Sequence, residues 1–170
     1  MLIPQSEIIS IRENKATLVK NFISLKINYD FNLLSQLLEK NDLPIFVKST
    51  IGNMRDVFQI RKVANLLEEI KPTLNFLGDL FFYEKKENDG IDLFFSFVSQ
   101  AGVPHWDEED VFILGLQGEV MYKIFGIETK NYIVKKGDMI FIPKGLKHKV
   151  IALSPRIVAS VGFWGNKKNV

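Results

Sequence analysis

The chain has 170 residues, 46% of them hydrophobic, with 22 basic and 20 acidic side chains, a formal net charge of +2 and no cysteine. That length carries one domain with a proper core, and the near-balanced charge includes no basic run of the kind that tracks nucleic acid. The absence of thiols removes disulfides, thiolate zinc sites and cysteine nucleophiles together.

The opening stretch "MLIPQSEIIS" has no basic region ahead of an uninterrupted apolar run, so it does not read as a signal peptide. Apolar runs such as "DLFFSFVS" fall far below the about 18–20 residues of a membrane span. The expectation is a cytoplasmic single domain over residues 1–170, without a nucleic-acid or membrane partner. "TLVKNF" and "PIFVK" read as short strands. Between them, "FNLLSQLLEK" places Phe31, Leu34, Leu37 and Leu38 on one face behind Asp30, the pattern of a short amphipathic helix. "IRKVANLLEEI" aligns Ile60, Val63, Leu66, Leu67 and Ile70, which predicts a second helix ended by Pro72. "ENDG" at 87–90 predicts a turn. Residues 1–90 therefore read as an α/β elaboration that packs on the C-terminal half of the chain.

From residue 91 the helical period disappears. Eight β-rich runs succeed one another: "IDLFFSFVS", "VPHW", "VFILGLQ", "EVMYKIF", "NYIV", "MIFI", "KHKVIAL" and "RIVASVGFW". Gly102, Gly118, Gly126, "KKGD", "PKG" and "SP" punctuate them. Strands at this spacing predict a jelly roll, a double-stranded β-helix of two packed sheets over 91–164, mainly β with the helices at the N-terminal side. On spacing alone an immunoglobulin-like sandwich is the alternative.

Phosphate-binding glycine loops, a G-x-S-x-G elbow and an H-E-x-x-H motif are all missing. The two histidines of the chain remain. His105 and Asp107 stand two apart in a predicted strand, which puts both on one face. His148 comes 43 positions later, and in a jelly roll two strands that far apart can be neighbours. Two imidazoles and one carboxylate on one face form a metal site with open positions, the set that suits Fe(II) in oxygenases. Taken singly, each histidine reads better as a solvated strand residue, His148 between Lys147 and Lys149 above all, and it is their joint placement at the positions one site needs that favours the metal reading. Trp106 alternates to the other face and reads as packing, and the rest of "DEED" reads as a charged strand exit.

"PHWDEEDVFILGLQGEVMYKI", "GDMIFIPKGLKH" and "RIVASVGFW" together resemble the Jumonji-C-like cupin oxygenases, which include the asparaginyl hydroxylase of the hypoxia pathway and the ribosomal-protein hydroxylases. The resemblance covers roughly 91–164, with a weaker echo in "KATLVKNF". It implies a hydroxylase using Fe(II), O₂ and 2-oxoglutarate as co-substrate, with His105, Asp107 and His148 as iron ligands. Family members carry a Lys or Arg thirteen residues after the Asp to hold the far carboxylate of 2-oxoglutarate, and Val120 stands there in this chain. Arg156, at the start of the last predicted strand, is the replacement that other 2-oxoglutarate oxygenases imply. Tyr122 shares the parity of Val120 and can add a hydrogen bond. Gly162 falls where the asparaginyl hydroxylase presents an inward Asn. The implied substrate is a peptide, a protein or a small molecule, and pairing as a homodimer, in the manner of other jelly rolls, is a further expectation. The second expectation for function is a metal cupin that does not use 2-oxoglutarate.

Overall fold

A computed structural model of the chain describes residues 3–41, 43–47, 57–82, 86–87 and 90–168. In chain order the elements are α1 (Gln5–Arg12), β1 (Thr17–Val19), α2 (Phe31–Asn41), β2 (Ile45–Val47), β3 (Phe58–Ile60), a 3₁₀ turn (Ala64–Leu66), α3 (Lys71–Phe81) and β4 (Lys86–Glu87). The β-rich part comprises β5 (Asp92–Ser96), β6 (Gln100–Ala101), β7 (Asp110–Gln117), β8 (Val120–Phe125), β9 (Thr129–Val134), β10 (Met139–Ile142), β11 (His148–Ala152) and β12 (Arg156–Trp164). A large antiparallel sheet runs β1-β10-β7-β12-β5-β3-β2, with β4 also on β12. A small sheet runs β6-β11-β8-β9. The result is the jelly roll that the run spacing predicts.

Strand parity shows which way each side chain faces. On β8, Val120, Tyr122 and Ile124 are buried, while Met121, Lys123 and Phe125 are only partly so. These three buried residues join Val111, Ile113, Ile140, Ile142 and Val158 in one apolar cluster between the two sheets, the lumen of the barrel. Alternate residues of the large sheet, among them Ile157, Ala159, Val161 and Phe163, belong to a second cluster on its outer face with Ile11, Leu34, Leu77 and Phe81 of the helices. Because both its faces are covered, β7 reads as an almost continuous apolar run rather than an alternation.

The helix over 31–40 forms as expected. The one over 60–70 does not. Ile60 ends β3, Lys62 takes a left-handed backbone (φ 60°), and only one 3₁₀ turn intervenes before α3 begins at Lys71. Pro72 sits in the first turn of α3, where its missing N–H leaves no helical bond unmade, so it opens a helix instead of closing one. Val63, Leu67 and Ile70 are buried, but through irregular backbone. "VPHW" is not a strand either: His105 alone makes a β-bridge, to His148. Helix α1 has no counterpart in the sequence expectations. The turn expected at 87–90 lies partly outside the described residues.

Two turns meet at the end of the barrel where β12 begins. Gly118 has φ +72°, and a Cβ there would lie 2.8 Å from Ser154 Oγ and closer still to the carbonyl of Pro155. Glu119 N–H donates to Ser154 Oγ at 2.9 Å across the same contact. Gly118→Ala is expected to lower stability by about 2–4 kcal/mol, from a strained φ and a backbone clash combined. Urea denaturation of the two proteins measures it, and an unchanged midpoint would show that the turn yields freely.

Candidate metal centre

The three residues singled out in the sequence meet at the opposite end of the lumen, on segments stitched together by backbone bonds. His105 N–H donates to the carbonyl of His148 at 2.9 Å, and His148 N–H donates to that of His105 at 2.8 Å. Gly145 N–H donates to the carbonyl of Asp107 at 2.9 Å, and Lys144 N–H to Asp110 Oδ1 at 2.9 Å. The loop carrying Asp107 is thereby pinned to the "PKGLK" turn that delivers His148. Gly145 makes this turn possible with φ +74°.

Both imidazoles are oriented in the same way. His105 Nδ1 lies 3.0 Å from the carbonyl of Val103, and His148 Nδ1 lies 3.0 Å from that of Leu146. A carbonyl only accepts, so each Nδ1 carries the proton and each Nε2 keeps its lone pair for a metal. The ring centroids are 4.3 Å apart, and His148 Nε2 lies 3.7 Å from Asp107 Oδ2. Burial pushes the His148 pKa below its ordinary value and the nearby His105 adds to this, while the Leu146 carbonyl and Asp107 act the other way. The neutral imidazole that a metal requires is thus the favoured form.

One ligand atom from each of His105, Asp107 and His148 lies within 4.8 Å of the others. Ligand bonds of about 2.0–2.2 Å place adjacent donors about 3 Å apart, so small side-chain rotations complete the site. The donor set fits a divalent transition metal: two imidazoles, one carboxylate and room for further ligands. His148 is 2% exposed and Asp107 32%, so the site has a protein-backed side and an open one.

The other two residues named from the sequence line the lumen beyond the metal ligands, Arg156 at its far end and Tyr122 between the two ends, across from Val150 on the small sheet. Arg156 shares the inward face of Val158 and is 3% exposed. Burial pushes its pKa below the ordinary value, with Tyr122 opposing, and no carboxylate among the described residues pairs with it. Its Nε has no hydrogen-bond partner among them. Tyr122, 2% exposed, has its hydroxyl pKa pushed up to about 12, first by burial. Arg156 lowers that value and Asp107 raises it, so Tyr122 senses both ends of the lumen. Val120, where relatives in pattern carry a cation, is 1% exposed and lies in the apolar wall. On the small sheet, His148 faces Ile124 and Ala152 faces Val120, which sets these two levels about 13 Å apart.

Ser96 has no counterpart among the residues named from the sequence. It stands directly across from Arg156 on β5, fully buried, and its Oγ also lacks a partner among the described residues. A small polar residue in "LFFSFVS" gives no signal until pairing sets it beside a buried cation. Trp106 corrects the reading as a packing residue: it is 63% exposed, beside the metal ligands at the open mouth. Asp110 has a structural partner, Lys167 at 3.2 Å.

Residues 98–162 match the family model described as the cupin domain. No curated protein matches the chain in sequence. Among solved structures, the ribosomal oxygenase YcfD of Escherichia coli is similar with a TM-score of 0.74 at 16% identity, over 97% of this chain and 52% of that one. YcfD in complex with cobalt and 2-oxoglutarate gives 0.67 at 17% identity, over 89% and 48%. An oxidoreductase of the 2OG-Fe(II) oxygenase family from Burkholderia pseudomallei gives 0.59 at 14% identity, over 99% and 98%. This chain therefore spans about half the length of YcfD and the whole of the Burkholderia protein. At these identities the likeness is one of fold: the barrel is a cupin barrel, and the resemblance to cupin-type oxygenases holds at that level.

Proposed function

We propose that the chain is an Fe(II)- and 2-oxoglutarate-dependent oxygenase that hydroxylates a peptide, protein or small molecule. The observation that carries this reading is a buried guanidinium without an acidic partner among the described residues, in the same lumen as the histidine–carboxylate set. A cation buried alone costs several kcal/mol, and a carboxylate ligand would relieve it. His105, Asp107 and His148 would hold the ion. Arg156 would take the far carboxylate of 2-oxoglutarate bidentately, with Ser96 and Tyr122 donating hydroxyl hydrogen bonds. Val111, Ile113, Ile140 and Val158 would keep the space between the two ends dry. Bound ferrous iron would supply the O₂ activation that no side chain provides. A peptide or protein substrate is supported by the fold shared with a ribosomal oxygenase and by Trp106 exposed at the mouth.

Val120 favours a second reading, a metal cupin that does not use 2-oxoglutarate. Anaerobic titration with Fe(II) and then 2-oxoglutarate separates the two. The oxygenase is expected to develop the visible metal-to-ligand charge-transfer band of a chelated 2-oxo acid. Iron bound without that band would decide for the second reading.

A further inference from the structure

Beyond β12 the chain stays bound at the outer face of the large sheet. Lys167 forms an antiparallel β-bridge to Phe82, and Lys168 N–H donates to the carbonyl of Phe81 at 2.7 Å. The Lys167 ammonium lies 3.2 Å from Asp110 Oδ2 and 4.3 Å from the centre of the Phe141 ring, and it donates to Asn14 Oδ1. Its three N–H donors thus have three partners. Both ends of the ion pair are nearly dry, with side chains 10% exposed at Lys167 and 11% at Asp110. The other oxygen of Asp110 is the one that accepts from Lys144 N–H. One carboxylate therefore joins three segments: the stretch that carries Asp107, the "PKGLK" turn that delivers His148, and the segment after β12.

A buried carboxylate that loses its cation must turn toward water, because an unpaired charge is costly to keep dry. Without Lys167, the Asp110 carboxylate would turn outward and release Lys144 N–H. The two ligand-bearing segments would then be joined by the Gly145–Asp107 bond and the His105–His148 bridge, without the clamp between them. We propose that Lys167 is a positioning residue for the metal centre: acting from the face of the sheet away from the lumen, its ammonium fixes the carboxylate that registers Asp107 against the His148 turn. This role presupposes the triad as a metal site and does not depend on 2-oxoglutarate as co-substrate. None of the three groups that Lys167 contacts is a metal ligand, so its influence is on geometry. Coupling of this kind is reciprocal. A metal held by the triad therefore holds the 165–168 segment more firmly in its turn.

The test uses Mn(II) alone on wild type, Lys167→Met, Lys167→Arg and Gly118→Ala, with the free ion read by electron paramagnetic resonance. Lys167→Met keeps an unbranched side chain against Phe141 and removes the charge. It is expected to raise the Mn(II) Kd about tenfold, the scale of losing an outer partner of a metal site. Lys167→Arg, which restores a cation for Asp110, should recover most of that loss. Gly118→Ala is the destabilised control, because Gly118 lies at the other end of the barrel. It should leave the Kd within about twofold of wild type, as distant sites act independently. The reciprocal effect is read by amide exchange. Saturating Mn(II) is expected to slow exchange in the 165–168 segment about tenfold in wild type and far less in Lys167→Met. A wild-type Kd in Lys167→Met overturns the proposal. So does an equal rise in Gly118→Ala, which would assign the effect to overall stability, and so does exchange at 165–168 that ignores the metal. A wild-type protein that takes up no Mn(II) overturns the triad itself, which is a different result.

Discussion

His148→Ala is expected to lose metal binding outright, by more than about 100-fold in affinity, since removing a ligand exceeds the 10–100-fold typical of an outer partner. The same change should also lower the stability of the metal-free protein by about 2–3 kcal/mol. The ring is 2% exposed, so its removal leaves a cavity and strips the Leu146 carbonyl of its donor. Asp107→Ala separates the two effects. Asp107 is 32% exposed, and its link to the "PKGLK" turn runs through its backbone carbonyl, which the substitution retains. It should abolish binding nearly as completely while moving the melting temperature little. Equilibrium dialysis against Fe(II) under anaerobic conditions, with a melt of each apo-protein, reads both quantities. Wild-type affinity in either variant would remove the metal centre, and the proposed chemistry with it.

The legibility of this site in the sequence differs residue by residue. The alternation of "VMYKIF" and the repeated turn signals are local properties of strands with one wet face, and they identify a fold of two packed sheets without tertiary knowledge, the choice of jelly roll over sandwich resting on the motifs. His105 and His148 are legible as a pair because the chain has no other histidine. Their route to one another is not: the HxD segment is a single β-bridge rather than a strand, held by contacts 43 residues apart. Ser96 shows the harder limit. It looks like a small residue in an apolar strand, and what distinguishes it is the cross-strand register that sets it beside Arg156, which has no local sequence signal. Residues 60–70 mislead for the reverse reason. Their apolar spacing is that of a helix, but irregular backbone can achieve the same burial on the outer face of the large sheet, and β3 claims Ile60.

Arg156→Met is expected to push two measurements in opposite directions. Without co-substrate it should raise the melting temperature. It exchanges a buried cation, for which the described residues offer no acidic partner, for an apolar side chain of similar length. With Fe(II) bound, it should weaken 2-oxoglutarate by about 100-fold, the scale of removing one partner of a buried charge pair. Iron affinity itself should hold, because Arg156 lies at the far end of the lumen from His148. Arg156→Lys should fall between, retaining the charge and losing the bidentate fork. Ser96→Ala should weaken 2-oxoglutarate more mildly, by about tenfold, as one hydrogen bond to a charged group is lost. A 2-oxo acid without a second carboxylate, such as 2-oxobutyrate, serves as the internal control, since none of these variants should change its binding. If Arg156→Met stabilises the protein and leaves 2-oxoglutarate affinity intact, the buried cation serves some other anion, and the displaced anchor is wrong even where the iron site is right. If stability falls instead, Arg156 already has an internal partner, and the argument from an unpaired buried charge fails at its first step.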